Sequence, residues 1–178
     1  MIVSIRPYQG DDLLPVWDAA MESVSEAFPF MPWCRPDLTV EEQRDWIGSQ
    51  VIAFAAGTAF EFAIVSDDGR YLGGCGLNQI DGVNRRANLG YWVRSSATGR
   101  GVATNAVRQL IAWAFGHTDL VRLEVVVSTR NAVSLRVAEK VGAVREGVAR
   151  SRLLLHGTNH DAVIFSIVRS DYESRALK

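Results

Sequence analysis

Two short stretches of this chain carry residues whose types and spacing suit chemistry. The first is Thr98-Gly99-Arg100-Gly101-Val102-Ala103-Thr104, where two glycines and an arginine precede a run of helical periodicity. The first turn of a helix leaves its N–H groups without internal partners and gathers positive partial charge, so an anion docked there satisfies both. Glycine at 99 and 101 lets the backbone approach a ligand without an intervening Cβ, and Arg100 adds a full charge. A bare turn is the competing explanation. The stretch is not a nucleoside-triphosphate loop, because Val102-Ala103 follows Gly101, and it lacks the third glycine of the dinucleotide fingerprint, position 104 being Thr.

The second stretch is Asn131-Ala132-Val133-Ser134. With Asn131 as a helix N-cap, Ser134 falls at the third helical position, its hydroxyl near the positive helix end. Capping alone also accounts for Asn131. Among acids, Glu124 lies in an apolar strand, where burial raises a carboxyl pKa toward the range of a general base. A structural carboxylate held by a neighbouring arginine is the alternative, and Glu61, Glu22 and Glu26 are further candidates. The aromatic segment Phe28-Pro29-Phe30-Met31-Pro32-Trp33 either shapes an acceptor pocket through Phe30, Met31 and Trp33 or plugs the core.

The elements that must position these residues follow from periodicity. Residues 2–6 read as a first strand, and Asp11 and Asp12 start a helix running to about Ala27, broken by the Pro-containing segment. Thr39 caps a second helix through Trp46 and Ile47. Residues 60–66 and 71–80 form a hairpin around Asp67-Asp68-Gly69-Arg70, and residues 86–94 form a strand that runs into the glycine turn. Ala103, Ala106, Val107, Leu110, Ile111 and Ala114 mark the helix that follows. Residues 121–127 are near-continuously apolar, as in a strand buried on both faces. A short helix over 132–140 stops at Gly142, and two last strands lie near 144–155 and 161–168.

Bulk properties bound the rest. The chain has 178 residues, 48% of them apolar and 22% charged, which predicts one soluble domain spanning 1–178 with a core of its own. A net charge of -1 with scattered arginines gives no field to recruit nucleic acid. No apolar stretch is long enough for a membrane span, and no leader is recognisable, so a cytoplasmic location and no membrane partner are expected. Cys34 and Cys75 lack metal-ligand spacing, so no metal is expected. Cys75 reads as strand packing, and Cys34 stays unassigned.

Together the motifs resemble the GNAT superfamily of acetyl-coenzyme A dependent N-acetyltransferases, and within it the branch that acetylates ribosomal-protein N-terminal alanine or serine. The resemblance rests on Leu89-Gly90-Tyr91-Trp92-Val93, the 99–104 glycine turn, Arg122-Leu123-Glu124, Asn131-Ala132-Val133-Ser134, Glu139-Lys140-Val141-Gly142-Ala143, Glu146-Gly147 and His160-Asp161. It implies an α+β fold: a GNAT-like mixed, mostly antiparallel central sheet of about seven strands flanked by about four helices. It further implies that Gly99, Arg100, Gly101, Val102, Ala103 and Thr104 cradle the coenzyme A pyrophosphate, and that Tyr91, Trp92 and Val93 offer main-chain groups to the pantetheine arm. Asn131 would bind that arm, and Ser134 would sit near the sulfur. Phe30, Met31 and Trp33 would line the acceptor pocket. Acetyl-coenzyme A is the implied co-substrate, an amine such as a ribosomal protein N-terminus the acceptor, and a homodimer a common assembly of such proteins.

The chain departs from this pattern at Thr98, where Gln or Arg is frequent, and at Asn88, where a glutamate commonly stands. The second departure removes the usual base from that position and leaves Glu124 as the expected catalytic carboxylate beside Ser134. An α-amine, with a pKa of about 7.7–8.0, is roughly a tenth neutral at pH 7, whereas lysine near 10.4 is almost wholly protonated. An α-amine therefore asks less of a base. The alternatives are a small amine acceptor (a polyamine, an amino acid or an antibiotic) and a non-catalytic acyl-coenzyme A binding module.

Overall fold

A computed structural model describes residues 2–176. Its centre is one seven-stranded sheet in the order β1-β2-β3-β4-β5-β7-β6. The strands are β1 (Val3–Pro7), β2 (Phe60–Ser66), β3 (Tyr71–Asp81), β4 (Arg86–Val93), β5 (Arg122–Ser128), β6 (Val144–Leu155) and β7 (Thr158–Val168). The helices are α1 (Leu13–Glu22), α2 (Val24–Ala27), α3 (Val40–Ala56), α4 (Val102–His117), α5 (Ala132–Lys140) and α6 (Arg169–Ala176). Every adjacent strand pair is antiparallel except β4 and β5.

The α+β class and the mostly antiparallel sheet agree with expectation, but six helices stand where about four were expected. One addition comes from a break in the first helix. Ser23 is buried, its hydroxyl donating to Ala19 C=O (2.6 Å) and accepting from Ser95 N–H (3.0 Å), so the helix divides into α1 and α2 around it. The other is α6, whose residues Arg169-Ser170-Asp171-Tyr172-Glu173 carry no apolar stripe for a pattern to find.

Local signals hold where the determinants lie within a few residues. Thr39 caps α3 in a capping box with Glu42. Gly142 ends the α5 turn at φ 82°. One face of the sheet packs on α4, with Val107, Leu110 and Ile111 set against Leu77, Leu89, Leu123, Val125 and Phe165. The other face carries α1 and α3 through Val16, Ala19 and Ile47, packed with Tyr8, Ala63, Val65 and Tyr71.

Strand β5 departs from the expected burial on both faces. Leu123, Val125 and Val127 are buried on the α4 side, while Glu124 and Val126 between them are only half-buried. The helices on the opposite face, α1 and α3, pack on β3 and β2, so the alternate residues of β5 there stay partly open. Its parallel partner also splays away. β4 pairs with β5 only at Arg86–Arg122, Ala87–Leu123 and Asn88–Glu124, whereas β5 stays paired to β7 as far as Ser128. Beyond Asn88 the two strands diverge, and the gap opens over the middle of the sheet.

Candidate active site

The gap is a cavity of about 160 Å³ lined by Asn88, Leu89, Gly90 and Tyr91 of β4, by residues 125–128 of β5, by Asn131 and Ser134, and by Phe30, Met31 and Leu153. Past Asn88 the β4 edge that faces β5 has no strand partner, so its main-chain groups are free for a ligand. At the far end of β4, Gly99 and Gly101 adopt φ of 73° and 77°, and Gly101 is the N-cap of α4. A Cβ at either glycine would meet nothing within 4 Å, so the turn is stripped of bulk on an open side. The first main-chain bond of the helix runs from Asn105 N–H to Gly101 C=O at 3.0 Å, which leaves the amides of Val102, Ala103 and Thr104 at the helix end without helical partners. An extended strand edge leading to a bare helix N-terminus fits a long ligand that ends in an anionic group.

A second helix start, that of α5, lines the gap itself, whereas residues 99–104 lie outside its lining. Asn131 Oδ1 accepts from Ser134 N–H at 3.0 Å, so it caps α5. The Ser134 hydroxyl lies 2.9 Å from the Tyr91 hydroxyl, which also donates to Ser134 C=O at 3.1 Å. Burial pushes the Tyr91 phenol up to about 12, so it stays protonated at neutral pH. The sequence pointed to Tyr91 only through its main chain. Its ring links β4 to α5 across the gap.

Beside the gap, on the α1 and α3 face, lies a larger chamber of about 390 Å³. The two cavities share Met31, Gly90 and Tyr91 in their linings. The chamber walls include Tyr8, Trp33, Trp46 and Trp92, and its polar groups are Glu42, Gln43, Glu61 and Asn78. Trp33 meets Trp92 edge-on at 5.3 Å, and Tyr8 meets Trp46 at 5.0 Å. Phe30 lines the gap, Trp33 the chamber and Met31 both. The segment is anchored by Phe28, whose C=O bonds His156 Nε2 at 2.7 Å. Tyr8, Gln43, Trp46 and Asn78 carried no sequence signal of their own. The available hint was Gly74 and Gly76, alternate residues of β3 whose missing side chains leave room on one sheet face for Tyr8, Trp92 and Glu61.

Of the carboxylates considered, Glu124 lines neither cavity. It is half-buried and bound by two guanidiniums, Arg122 Nε at 2.9 Å and Arg86 Nη1 at 3.3 Å. This placement corrects the expectation of an acid embedded in apolar surroundings: the residue alternates out of the core, and arginines cover it. Arg122 also pairs with Glu146, holding that carboxyl down at about 2. Glu22 and Glu26 are likewise engaged, by Arg94 and by Ser95 Oγ. Among the described residues no cluster of His, Cys, Asp or Glu could hold a metal.

Comparison with known proteins follows this geometry. The chain is 37% identical over 106 residues to the putative ribosomal N-acetyltransferase YdaF of Bacillus subtilis, a match that spans 60% of this chain and 58% of that protein. It is 34% identical over 137 residues to the probable N-acetyltransferase YjcK of the same organism, covering 76% of each. The solved structure of Mycobacterium smegmatis RimJ in complex with a coenzyme A disulfide superposes with a TM-score of 0.86 at 25% identity, over 95% of this chain and 83% of that one. A sequence model described as the acetyltransferase (GNAT) domain matches residues 3–144, most of the chain, and the protein therefore belongs to the GNAT acetyltransferase family.

Proposed function

We propose that, within the acetyl-coenzyme A dependent acyl transfer of this family, the acceptor is a single α-amine, with a protein N-terminus as the leading candidate. The observation that carries this reading is the chamber beside Gly90 and Tyr91. It has aromatic walls and only two acids, Glu42 and Glu61, of which Glu42 is engaged by Arg35 Nη2 at 2.5 Å. A polycation would bring several ammonium groups to a room with one free carboxylate. One ammonium beside an apolar side chain matches both the aromatic walls and the charge. The name of YdaF supports a ribosomal protein as the source of that terminus.

In this reading the open edge of β4 would hold the cofactor, with the amides of residues 99–104 taking its phosphates and Asn131 its arm. It supplies an acyl carbon activated as a thioester. Ser134 and Tyr91 donate toward the departing sulfur, with the start of α5 favouring the thiolate. The direct test is a peptide carrying both a free N-terminus and a lysine, incubated with acetyl-coenzyme A and mapped by mass spectrometry. The reading requires acetyl at the N-terminus and little at lysine or on spermidine. Acetylation of a free aromatic amine but of no peptide would assign a small-molecule acceptor, and binding without turnover on any amine would make the chain a sensor. Ser134→Ala should slow single-turnover transfer about 10- to 100-fold. An unchanged rate would remove Ser134 from the mechanism.

A further inference from the structure

Resting on the acetyl-transfer reading above, we infer that Glu61 takes the proton from the acceptor ammonium, and that Asn78 and Asn88 position it. Glu61 stands on β2 opposite Gly76 of β3, which is opposite Gly90 of β4. Its carboxylate lies over Gly76, so closely that a Cβ there would fall among the carboxylate atoms. Past it, a Cβ on Gly90 would meet nothing within 4 Å. Two successive glycines thus clear a path from the carboxylate to the strand residue that both cavities share.

Among the described residues only one of the two carboxylate oxygens accepts a hydrogen bond. Glu61 Oε1 accepts from Asn78 Nδ2 at 3.1 Å, and Asn78 Oδ1 in turn accepts from Asn88 Nδ2 at 2.9 Å. No cation among the described residues pairs with Glu61, and no buried side-chain oxygen is left unpartnered, so Oε2 opens into the chamber. The groups that face it are Tyr8 at the end of β1, Glu42 and Gln43 on α3, Cys75 and Asn78 on β3, and Tyr91 on β4. Of these only Glu42 carries charge at neutral pH, and it turns to Arg35. Burial raises the Glu61 carboxyl, while the Asn78 bond opposes part of that rise. Asn88, which stands where a base was missed in the sequence, is the outer member of the chain that orients this one.

The proton balance is complete. The bound ammonium gives one proton to Glu61 Oε2, which later releases it to solvent, and the freed lone pair attacks the acyl carbon. As the C–N bond forms and the C–S bond breaks, the sulfur takes a proton from the Ser134–Tyr91 hydroxyl pair, and the second surplus proton on nitrogen restores that pair.

The test compares wild type, Glu61→Gln and Asn78→Ala in single turnover from pH 6 to pH 10. It uses two probes: a tripeptide with a free N-terminus and an aromatic amine that is neutral at pH 7. Glu61→Gln should lower transfer to the peptide about 10²- to 10³-fold at pH 7, with the deficit shrinking as the peptide amine titrates itself, and should leave transfer to the neutral amine within a few-fold of wild type. Asn78→Ala should move the acid limb of the profile to higher pH, because it removes the bond that favours the carboxylate. A positioning role for Asn88 predicts the same direction with a smaller shift in Asn88→Ala. An active wild type beside a Glu61→Gln variant that loses both probes equally at every pH, or loses neither, overturns this assignment alone. A wild type that acetylates no amine overturns the acetyl-transfer reading and this assignment with it.

Discussion

The gap between β4 and β5 and the chamber beside it touch at Met31, Gly90 and Tyr91, yet they are made of different material. The gap side is largely backbone: the unpaired β4 edge and the start of α5 at the gap, with two glycines at positive φ and the start of α4 outside its lining at the far end of β4. The chamber is side chain, with Tyr8 brought from just after β1, Glu61 from β2, Trp92 from β4, Trp46 from α3 and Trp33 from the loop before α3. Backbone sites recognise what every donor shares, and side-chain sites tell acceptors apart. If that division is real, each cavity can be damaged without the other.

The largest separable effect is expected from Gly76→Ala. Its new methyl must displace the end of a flexible side chain, the Glu61 carboxylate, and not the sheet, so the fold survives while the acid moves. Single-turnover transfer to a peptide at pH 7 should fall about 100-fold, while acetyl-coenzyme A affinity measured by calorimetry stays unchanged. A matching loss of cofactor affinity would mean that the two cavities are one unit. The converse variant is Gly101→Val. A residue with a Cβ resists the left-handed conformation by about 1–2 kcal/mol, so the turn relaxes away from the shape that aims its amides. Acetyl-coenzyme A should then bind about 5- to 30-fold more weakly, with the acceptor KM unaltered at saturating cofactor.

The same division explains what the sequence could reveal. Caps at Thr39 and Asn131 and the stop at Gly142 are contests within three or four residues, so residue type and spacing settle them. The backbone cavity inherits that legibility, because a helix start and a glycine turn are local objects. The chamber does not inherit it. Glu61, Asn78 and Asn88 form one chain across three strands, and their partnership exists only in a register that pairs Asn78 with Asn88. Glu124 looked buried because its neighbours are apolar, but strand alternation turns it toward Arg86 and Arg122, which a one-dimensional reading cannot see. Ser23 breaks a helix because of Ser95, 72 residues away.

Trp33→Ala probes the side-chain cavity away from its acid. Trp33 is 42% exposed at the chamber wall, so its loss removes only part of the contact area of a buried ring. The acceptor KM should rise about 3- to 10-fold with kcat within about twofold, consistent with an aromatic contact worth roughly 0.5–1.5 kcal/mol. An equal fall in kcat would show that this ring also orients the amine, and the walls and the acid would then no longer be separable.

The smallest effect is expected at the brace between the two regions. Glu22 at the end of α1 binds Arg94 Nε at 3.0 Å and Ser96 N–H at 2.7 Å, tying α1 to the turn that leads into Gly99. The Arg94 guanidinium holds the Glu22 carboxyl at about 2, below its ordinary 4.5. A carboxyl depressed on folding contributes stability that is present above about pH 4.5 and is lost as pH falls toward 2. Because the pair is partly exposed, solvent screening keeps the contribution at roughly 0.5–1 kcal/mol. Glu22→Gln should therefore lower Tm by about 1–4 °C at pH 7, and the gap from wild type should close as both are acidified through that window. If acetyl-coenzyme A affinity falls as well, the brace transmits α1 position to the glycine turn. An unchanged affinity leaves the backbone cavity self-supporting, as its local capping predicts.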